Sequence, residues 1–364
     1  MKKRPYGYSR RRWRSGVCML LGLPLIIVAL VKLQGLVQRD VMESPPIRDP
    51  LKPKLAFLFL ARHVMPLDIL WEHFFERSRD HEFNIYIHAR PGFSYTEENT
   101  QCSSFINRQL NNSIQVVWGE ATMIQAERLL IAEALKNPLN ERFFLLSDSC
   151  IPLYNFDYVY NYVMASQKSF VDSFVDYSDE QYNINMESVI PHENWRKGSQ
   201  WFVLTRKHAE AVVADSTVFQ MFNQHCKKVV LPDNWVDDPS LNATKKPHNC
   251  IPDEHYIQTL FAMEGLEAET ERRTLTFSKW ENHVKDVGRE GWHPVTYNFQ
   301  DSTLEAIRSI QALRSIRYET ESRTEWCKAG GEDKPCFLFA RKFTRAAGFR
   351  LLDLVSSYEK GLAS

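Results

Sequence analysis

The sequence lacks an excess of either charge and several motifs that mark common protein classes. Its 364 residues contain 45 Lys and Arg against 45 Asp and Glu, so the formal net charge is zero. A nucleic-acid-binding protein is typically strongly basic, so no nucleic-acid partner is predicted. No CxxC pair and no His-rich spacing occur, so a zinc site is not predicted either. The hydrophobic fraction of 44% instead indicates a packed globular body.

Acidic residues are absent from the N-terminal stretch. Residues 1–15 form a basic tail with seven Lys and Arg, and residues 16–38 are apolar apart from Lys32 and two glutamines. A positive flank followed by an apolar run predicts a transmembrane signal anchor, with the tail in the cytoplasm and the remainder in a lumen. The apolar core is also short enough for a cleaved signal peptide or a buried helix, and these alternatives stay open.

The cysteine pattern agrees with a lumenal location, where disulfides form. Six cysteines follow the anchor, and closeness in the sequence favours the pairs Cys226–Cys250 and Cys327–Cys336. The chain also contains two Asn-x-Ser/Thr sequons, which predict N-glycosylation in the same compartment. These sequons lie at Asn111 and Asn242.

The remainder of the chain predicts an α/β fold. Residues 39–53 are polar and proline-rich and indicate a stalk, which leaves 54–364 as the lumenal domain. Apolar strand-like runs alternate with amphipathic helical patterns early in this domain, which favours a mainly parallel sheet flanked by helices. The predicted strands are KLAFLFLARH, FNIYIHARPGF, NSIQVVWGE and ERFFLLSDSCIP.

Ligands of such sheets bind beyond the carboxyl ends of the strands. That rule brings Arg62, His88, Trp118 and Asp148 around one crevice. Asp148 stands where a metal-dependent nucleotide-sugar enzyme carries Asp-x-Asp, but the third position here is Cys150, a poor ligand for a hard cation. We therefore predict no metal at this site. Asp148 either bonds a sugar hydroxyl or caps a loop.

The stretch CIPDEHYIQTL allows two interpretations. Pro252 suits the first position of a helix, which places Asp253 and Glu254 in the first turn, where the helix dipole favours negative charge. Glu254 could accept a proton there, or the two acids could simply start the helix. His255 points elsewhere on the turn, so the three side chains cannot chelate one ion.

Two basic stretches each allow a functional and a structural interpretation. In WRKGSQWFVL, Trp195 and Trp201 offer flat faces that suit sugar rings, beside Arg196 and Lys197, but the tryptophans could equally lie in the core. In FLFARKFTRAAGFR, a basic cluster follows an apolar strand, so it could hold a diphosphate without a metal or form a solvated helix face. Its members are Arg341, Lys342, Arg345 and Arg350.

Taken in order, these blocks resemble the core-2/I-branching glycosyltransferase family (family 14), in its plant, brittle-culm-type form. The similarity spans roughly residues 54–354. It is specific because many separate blocks occur in a fixed order. The blocks are LAFLFLARHVMPLDILWEHFF, FNIYIHARPGF, VVWGEATMIQAERLLIAEAL, RFFLLSDSCIPLYNFDYVYNYV, WRKGSQWFVLTRKHA, PDEHY and CFLFARKF.

The resemblance implies a GT-A-like fold and an inverting transfer of a sugar, typically N-acetylglucosamine, from a UDP-sugar to a glycan. It also implies that no divalent metal or other cofactor is needed, and that the protein is anchored in the Golgi membrane. Some members of the family transfer glucuronic acid instead, so the donor sugar stays open. The oligomeric state stays open as well.

The resemblance also assigns residues. The glutamate of the Asp-Glu pair, Glu254, is the general base, and Lys342 contacts the diphosphate beside Arg341. A second diphosphate-binding arginine precedes this block, with Arg323 and Arg317 as candidates. The strand-end positions of Arg62, His88 and Asp148 make them candidates for the donor side, although Arg62 and His88 could equally be plain polar residues at strand ends. The resemblance places Arg196 and Lys197 near the acceptor side, and Trp195 is a candidate beside them.

Two other function classes are weighed against this one. A catalytically idle Golgi protein that binds glycans would keep the fold but could lack Glu254 or Lys342, and both residues are present. A glycoside hydrolase would need two acids that flank the scissile bond, and the sequence offers no convincing second acid. The enzyme is therefore the favoured prediction.

Overall fold

The computed structural model describes residues 52–362, except for 77, 79–81, 177–180, 229–247 and 281–293. The predicted tail, anchor and most of the stalk therefore lie outside the described residues, and so does the sequon at Asn242. Within the described part, none of the helices is long and apolar enough to cross a membrane.

A six-stranded mixed sheet forms the centre of the domain, in the order β2-β1-β3-β8-β5-β9. Strand β1 pairs in parallel with both β2 and β3, while β8 runs antiparallel to β3 and β5. The last pair, β5 with β9, is parallel again. The first nine strands of the chain, of which β4, β6 and β7 lie outside this sheet, are β1 Lys54–Leu60, β2 Phe83–His88, β3 Asn140–Ser147, β4 Ile151–Pro152, β5 Ser169–Phe170, β6 Phe174–Val175, β7 Arg196–Lys197, β8 Val203–Thr205 and β9 Thr270–Glu271.

A smaller three-stranded sheet joins two late strands of the chain to β4, in the order β10-β15-β4. Its central strand β15 pairs in parallel with β10 and antiparallel with β4, which directly follows the Asp148 loop. Two hairpins, β11–β12 and β13–β14, complete the strands. Their bounds are β10 Thr276–Ser278, β11 Ser315–Tyr318, β12 Arg323–Trp326, β13 Lys328–Ala329, β14 Glu332–Asp333 and β15 Phe339–Arg341.

Helices cover both faces of the central sheet. Side chains of β1 alternate between two apolar clusters, with Phe57 in one and Leu58 in the other, and this explains the continuous apolar run of a strand buried on both faces. The helices are α1 Asp68–Glu76, α2 Thr122–Leu135, α3 Phe156–Met164, α4 Arg206–Ala214, α5 Thr217–His225, α6 Tyr256–Met263, α7 Leu304–Gln311 and α8 Arg345–Leu362.

The mixed α/β prediction with a parallel-containing sheet and flanking helices is confirmed. The predicted strand NSIQVVWGE is wrong, because this segment contains no strand. Its backbone bonds go to side chains instead: the amide of Ile114 donates to His88 Nε2 at 3.1 Å, and that of Val117 to Thr122 Oγ1 at 2.9 Å. A segment tied in this way has no strand partner, although its composition favours one.

Both predicted disulfides are confirmed. Cys226 is bonded to Cys250, and Cys327 to Cys336. The first bond joins the end of α5 to the segment that leads into Pro252. Cys102 and Cys150 are buried free thiols.

Candidate functional site

The Asp253-Glu254 pair lies on a short turn of its own. Pro252–Glu254 form a 3-10 helix, and α6 begins only at Tyr256. The fixed φ of a proline suits the first position of such a turn. His255 has φ −128° and separates the two helices, so the single helix predicted from Pro252 onward is divided in two. The two acids therefore stand on a turn at the entry of α6.

The segment 198–200 lies directly against this turn. The amide of Gly198 donates to the carbonyl of Glu254 at 2.9 Å, and the amide of Ser199 donates to Asp172 Oδ2 at 2.8 Å. A Cβ atom at position 198 would lie 2.0 Å from the Asp172 carbonyl oxygen, so this close approach requires glycine. The backbone of Glu254 is thereby fixed against a second strand-end segment.

Four carboxyl groups lie together here and are called the acid cluster. Burial is the largest cause that raises the pKa of each one. Only 2% of Glu127 and 8% of Asp253 are exposed. The pKa of Asp253 rises to about 7, because burial and the neighbouring Glu254 charge both disfavour its ionised form. The members of the acid cluster are Glu127, Asp172, Asp253 and Glu254.

Glu127 extends from α2 beneath the turn. Its Oε1 accepts a hydrogen bond from Gln200 Nε2 at 2.8 Å. Burial, together with the nearby Asp253, raises its pKa well above the ordinary value. Burial and the Asp253 charge therefore both favour the protonated form of this carboxyl.

Cations oppose the effect of burial on Glu254, as they also do on Asp172 and Asp253. Burial raises the pKa of Glu254, while the charges of Lys197 and Arg341 lower it and that of Asp172 raises it. The carboxyl thus lies beside cations and is also largely withdrawn from water. An acid in this state accepts a proton more readily than an exposed glutamate does.

Three cations lie opposite the acids and are called the cation cluster: Arg62, Arg341 and Lys342. The carbon of the Arg341 guanidinium lies 4.4 Å from the centre of the Trp201 ring, so this tryptophan supports the site, as its sequence context allowed. Burial lowers the pKa of Arg341 and of Lys342, and Asp148 opposes that effect in both. Arg341 Nε is buried and has no hydrogen-bond partner among the described residues. A buried donor of this kind suits an anionic ligand.

Asp148 joins the cation cluster at the end of β3. Burial raises its pKa, and the charges of Arg62 and Arg341 act against that rise. The Cys150 thiol that replaces the second acid of an Asp-x-Asp pair lies 3.2 Å from Ser147 Oγ. Within the described ranges, no group of three or more His, Cys, Asp or Glu could hold a metal ion.

Two residues predicted to contact substrates belong to the core instead, and these predictions are wrong. Trp195 is fully buried and stacks on His255 and Phe222, with ring centres 4.4 and 5.6 Å away. His88 is 3% exposed, and its Nε2 accepts the Ile114 amide. The ring of Trp195 and the Nε2 atom of His88 therefore make their contacts inside the protein.

The acceptor-side pair Arg196-Lys197 divides into two roles. Arg196 donates from Nε and Nη2 to the two carboxylate oxygens of Glu267, at 3.0 and 3.2 Å, so its predicted acceptor contact is corrected to a structural ion pair. Lys197 Nζ donates to Gln181 Oε1 at 3.0 Å, and its charge acts on Glu254. Lys197 therefore remains beside the acid cluster.

His255 positions the turn rather than taking part in chemistry. Its Nδ1 lies 2.8 Å from the carbonyl oxygen of Arg196, and burial lowers its pKa to about 3. The imidazole is therefore neutral at physiological pH. It donates to that carbonyl while it stacks on Trp195.

The two candidate arginines on the β11–β12 hairpin lie in different environments. Arg323 is paired with Glu321 and Glu325, and it lies over Tyr318, whose hydroxyl donates to Asp172. Arg317 is exposed on the opposite side of the hairpin, since neighbouring residues of a strand alternate faces. Arg317 therefore stays a predicted donor contact, whereas Arg323 supports the acid cluster through Tyr318.

The sequence reasoning did not find Glu127, Asp172 or Gln200. Glu127 had a usable signal, because it is an acid within the buried stripe of α2, where the neighbouring stripe residues include Ile124 and Ile131. Asp172 and Gln200 carried no comparable signal. Of the sequons, Asn111 is exposed and stays a predicted glycosylation site.

Comparisons with known proteins agree with the resemblance of the sequence blocks. The family model described as "Branch: Core-2/I-Branching enzyme" matches residues 55–311. A rice protein (Oryza sativa subsp. japonica) named glycosyltransferase BC10 is 55% identical over 321 residues, which cover 87% of this chain and 80% of that protein. An apo structure of the bifunctional glycosyltransferase WbbM is 12% identical, with a TM-score of 0.29, over 62% of this chain and 53% of that one.

The WbbM similarity is too weak to support a structural argument, and this chain spans only about half of that protein. The family model and the rice relative are sufficient without it, since the model alone covers most of the domain. The acid cluster and Arg62 lie within the range that the family model matches, whereas Arg341 and Lys342 lie beyond its end at residue 311. The chain belongs to the core-2/I-branching enzyme family and is a glycosyltransferase.

Proposed function

We propose that this glycosyltransferase transfers N-acetylglucosamine from UDP-N-acetylglucosamine to a glycan hydroxyl, with inversion and on a GT-A-like fold. The observation that carries the proposal is the position of Glu254. It is a half-buried acid whose pKa is raised by withdrawal from water, and it faces the charges of Lys197 and Arg341. Membership of the family implies a nucleotide-sugar donor and a glycan acceptor.

The reaction is a single displacement. Glu254 removes the proton from the acceptor hydroxyl as that oxygen attacks the anomeric carbon of the donor sugar. The bond from this carbon to the diphosphate oxygen breaks, and its electron pair leaves with UDP. The products are the new glycoside, UDP and protonated Glu254, which then returns its proton to solvent.

The cation cluster stabilises the departing diphosphate in this proposal. Negative charge develops on the leaving oxygen, so fixed cations lower the barrier where they meet that charge. Lys342 is one such cation. We assign Arg341 as the second, because its Nε lacks a partner while Arg323 is already paired with two glutamates.

We further propose that the transfer needs no divalent metal or other cofactor. Asp148 is the only acid of its DSC tripeptide, and Cys150 is a poor ligand for a hard cation. The charge that a metal would supply comes from Arg341 and Lys342. Activity that survives EDTA would support this point.

We also propose a single-pass type II protein of the Golgi membrane with a lumenal catalytic domain. The basic tail at 1–15, the apolar segment at 16–38 and the two disulfides support this location. Protease treatment of sealed microsomes should leave the domain intact and shorten only the tail. Digestion of the domain in sealed vesicles would overturn the topology.

The donor is tested with a panel of UDP-sugars and the full-length protein, with and without EDTA. We expect selective binding and transfer of N-acetylglucosamine that EDTA does not change. Selective use of UDP-glucuronic acid would establish a β-glucuronosyltransferase instead. If the protein bound glycans but turned over none of the donors, the chain would be a catalytically idle glycan-binding member.

A further inference from the structure

A cavity of about 560 Å³ lies on the surface of the second half of the domain, and the proposed transfer reaction does not use it. Its wall is formed by the start of α3, the end of α7 and the loop closed by the Cys327–Cys336 disulfide. None of its lining residues belongs to the acid cluster or the cation cluster. The volume lies within the range of small-molecule sites and accommodates about two sugar rings.

Aromatic rings form one wall of this cavity. Tyr154 and Tyr158 stack with ring centres 4.3 Å apart and planes 21° from parallel. The Asn155 side chain caps α3 by accepting the amide of Tyr158 at 3.0 Å, which fixes the two tyrosines on one face. A stacked pair offers a flat apolar surface with polar hydroxyl edges, which matches the face of a sugar ring.

Basic side chains form the rim. Arg308, Arg314 and Lys334 line the cavity together with a single acid, Asp333. Arg314 Nη1 donates to the carbonyls of Gln311 and Leu313, and no carboxylate pairs with Arg314 within the described ranges. Lys334 Nζ donates to Glu332 Oε2 at 2.7 Å, so a ligand carboxylate would share this lysine with Glu332. The rim therefore favours a negatively charged ligand, while Asp333 can accept from a hydroxyl group.

The cavity is held in shape before any ligand binds. The hydroxyl of Tyr162 donates to the carbonyl of Pro335 at 2.7 Å. The amide of Cys336 donates to the carbonyl of Leu313 at 2.9 Å. Gln311 Nε2 donates to the Leu153 carbonyl at 2.6 Å. These bonds join all three segments of the wall, so binding orders little new structure.

We propose that this cavity is a second glycan-binding site that recognises sugars bearing a carboxylate. The tyrosine pair stacks against a sugar ring, and Arg314 and Lys334 bind the carboxylate. The site would hold an acidic segment of a glycan chain while another part of that chain reaches Glu254. The choice of a glycan rests on the glycan acceptor of the proposed function, but the binding itself does not require transfer.

The site is tested by binding of trigalacturonate to the full-length protein at low ionic strength. The double variant Arg314→Gln/Lys334→Gln should weaken binding about tenfold or more, since it removes two charge-assisted contacts. The matched control is Lys328→Gln, which removes an exposed charge from the same disulfide loop but does not line the cavity. That control should bind within about twofold of the wild type.

Two further probes separate the sources of binding. A neutral trisaccharide of hexoses should bind far more weakly than trigalacturonate, and inorganic phosphate should displace trigalacturonate poorly. The proposal would be overturned if trigalacturonate did not bind or if the double variant had no effect on its binding. It would also be overturned if the neutral sugar bound equally well, or if phosphate at equal concentration displaced trigalacturonate fully.

The outcome is independent of the assignment of Glu254. The variant Glu254→Gln should bind trigalacturonate as the wild type does. The Arg314→Gln/Lys334→Gln variant should transfer normally to a short neutral acceptor. Loss of trigalacturonate binding in Glu254→Gln would place that ligand in the transfer site and overturn the second site.

Discussion

The acid cluster and the cation cluster differ in how neighbouring groups act against the effect of burial on their charged side chains. Burial raises the pKa of every acid in the acid cluster, and Asp253 raises that of Glu127 further. Burial lowers the pKa of Arg341 and of Lys342, while Asp148 opposes that effect in both. Arg341 Nε also lacks a hydrogen-bond partner among the described residues, and this buried donor marks the cation cluster as the place for an anionic ligand.

The comparison can be tested first at Arg341, the cation that acts on both Asp148 and the acids. Replacing it by methionine should lower the free energy of unfolding by about 3–5 kcal/mol, since Asp148 and Asp253 lose a compensating charge. Urea denaturation measures this change. The control Arg317→Met removes an exposed arginine whose pairing with Glu319 is solvent-exposed, and it should cost less than about 1 kcal/mol. An equal loss of unfolding free energy in both variants would contradict the role assigned to Arg341.

The next effect concerns pH and Asp253. Its folded pKa of about 7 lies above the ordinary value of 3.8, so the folded protein binds the proton more tightly than the unfolded chain does. Stability is therefore lost as the pH rises from about 4 to about 7. Asp253→Asn should remove this loss and stabilise the protein at pH 8 by roughly 2 kcal/mol, with little gain at pH 4. Thermal melting at the two pH values measures it, and an equal change at both would contradict a raised pKa.

Lys342 tests the cation side by ligand binding. Lys342→Ala should weaken the affinity for UDP about tenfold or more, because a charge-assisted contact to the diphosphate is lost. Calorimetric titration with UDP measures the change. Lys328→Ala is the control for the loss of one positive charge elsewhere, and unchanged affinity in Lys342→Ala would refute the assigned role.

The smallest effect is expected at Glu127. If its carboxyl is already protonated, Glu127→Gln keeps the acceptor for Gln200 and changes no charge. The value of kcat/KM should then stay within about threefold, and the acid limb of its pH profile should not move. A clear shift of that limb would show that Glu127 is ionised in the working enzyme.

The fold was predictable where a single physical signal dominated. Strands β1 and β3 are buried on both faces, so their continuous apolar runs sufficed. The segment NSIQVVWGE has a similar composition but finds its partners in His88 and Thr122, which no local pattern reveals. Pairing partners are decided by the tertiary structure rather than by propensity.

The site was less predictable for the same reason. Trp195 and Trp201 occur six residues apart in one basic stretch, yet the first is stacked in the core and the second supports Arg341. Composition and spacing treat the two alike. Glu254 itself was distinguished from a simple helix start only by the ordered family blocks around it.

The most direct test compares Glu254→Gln with its neighbour Asp253→Asn in one transfer assay at saturating donor. If Glu254 is the base, Glu254→Gln should lose about 10²- to 10⁴-fold in kcat while it binds UDP as before, and Asp253→Asn should keep transfer within about tenfold. Near-normal transfer by Glu254→Gln, or an equal loss in both variants, would contradict the account.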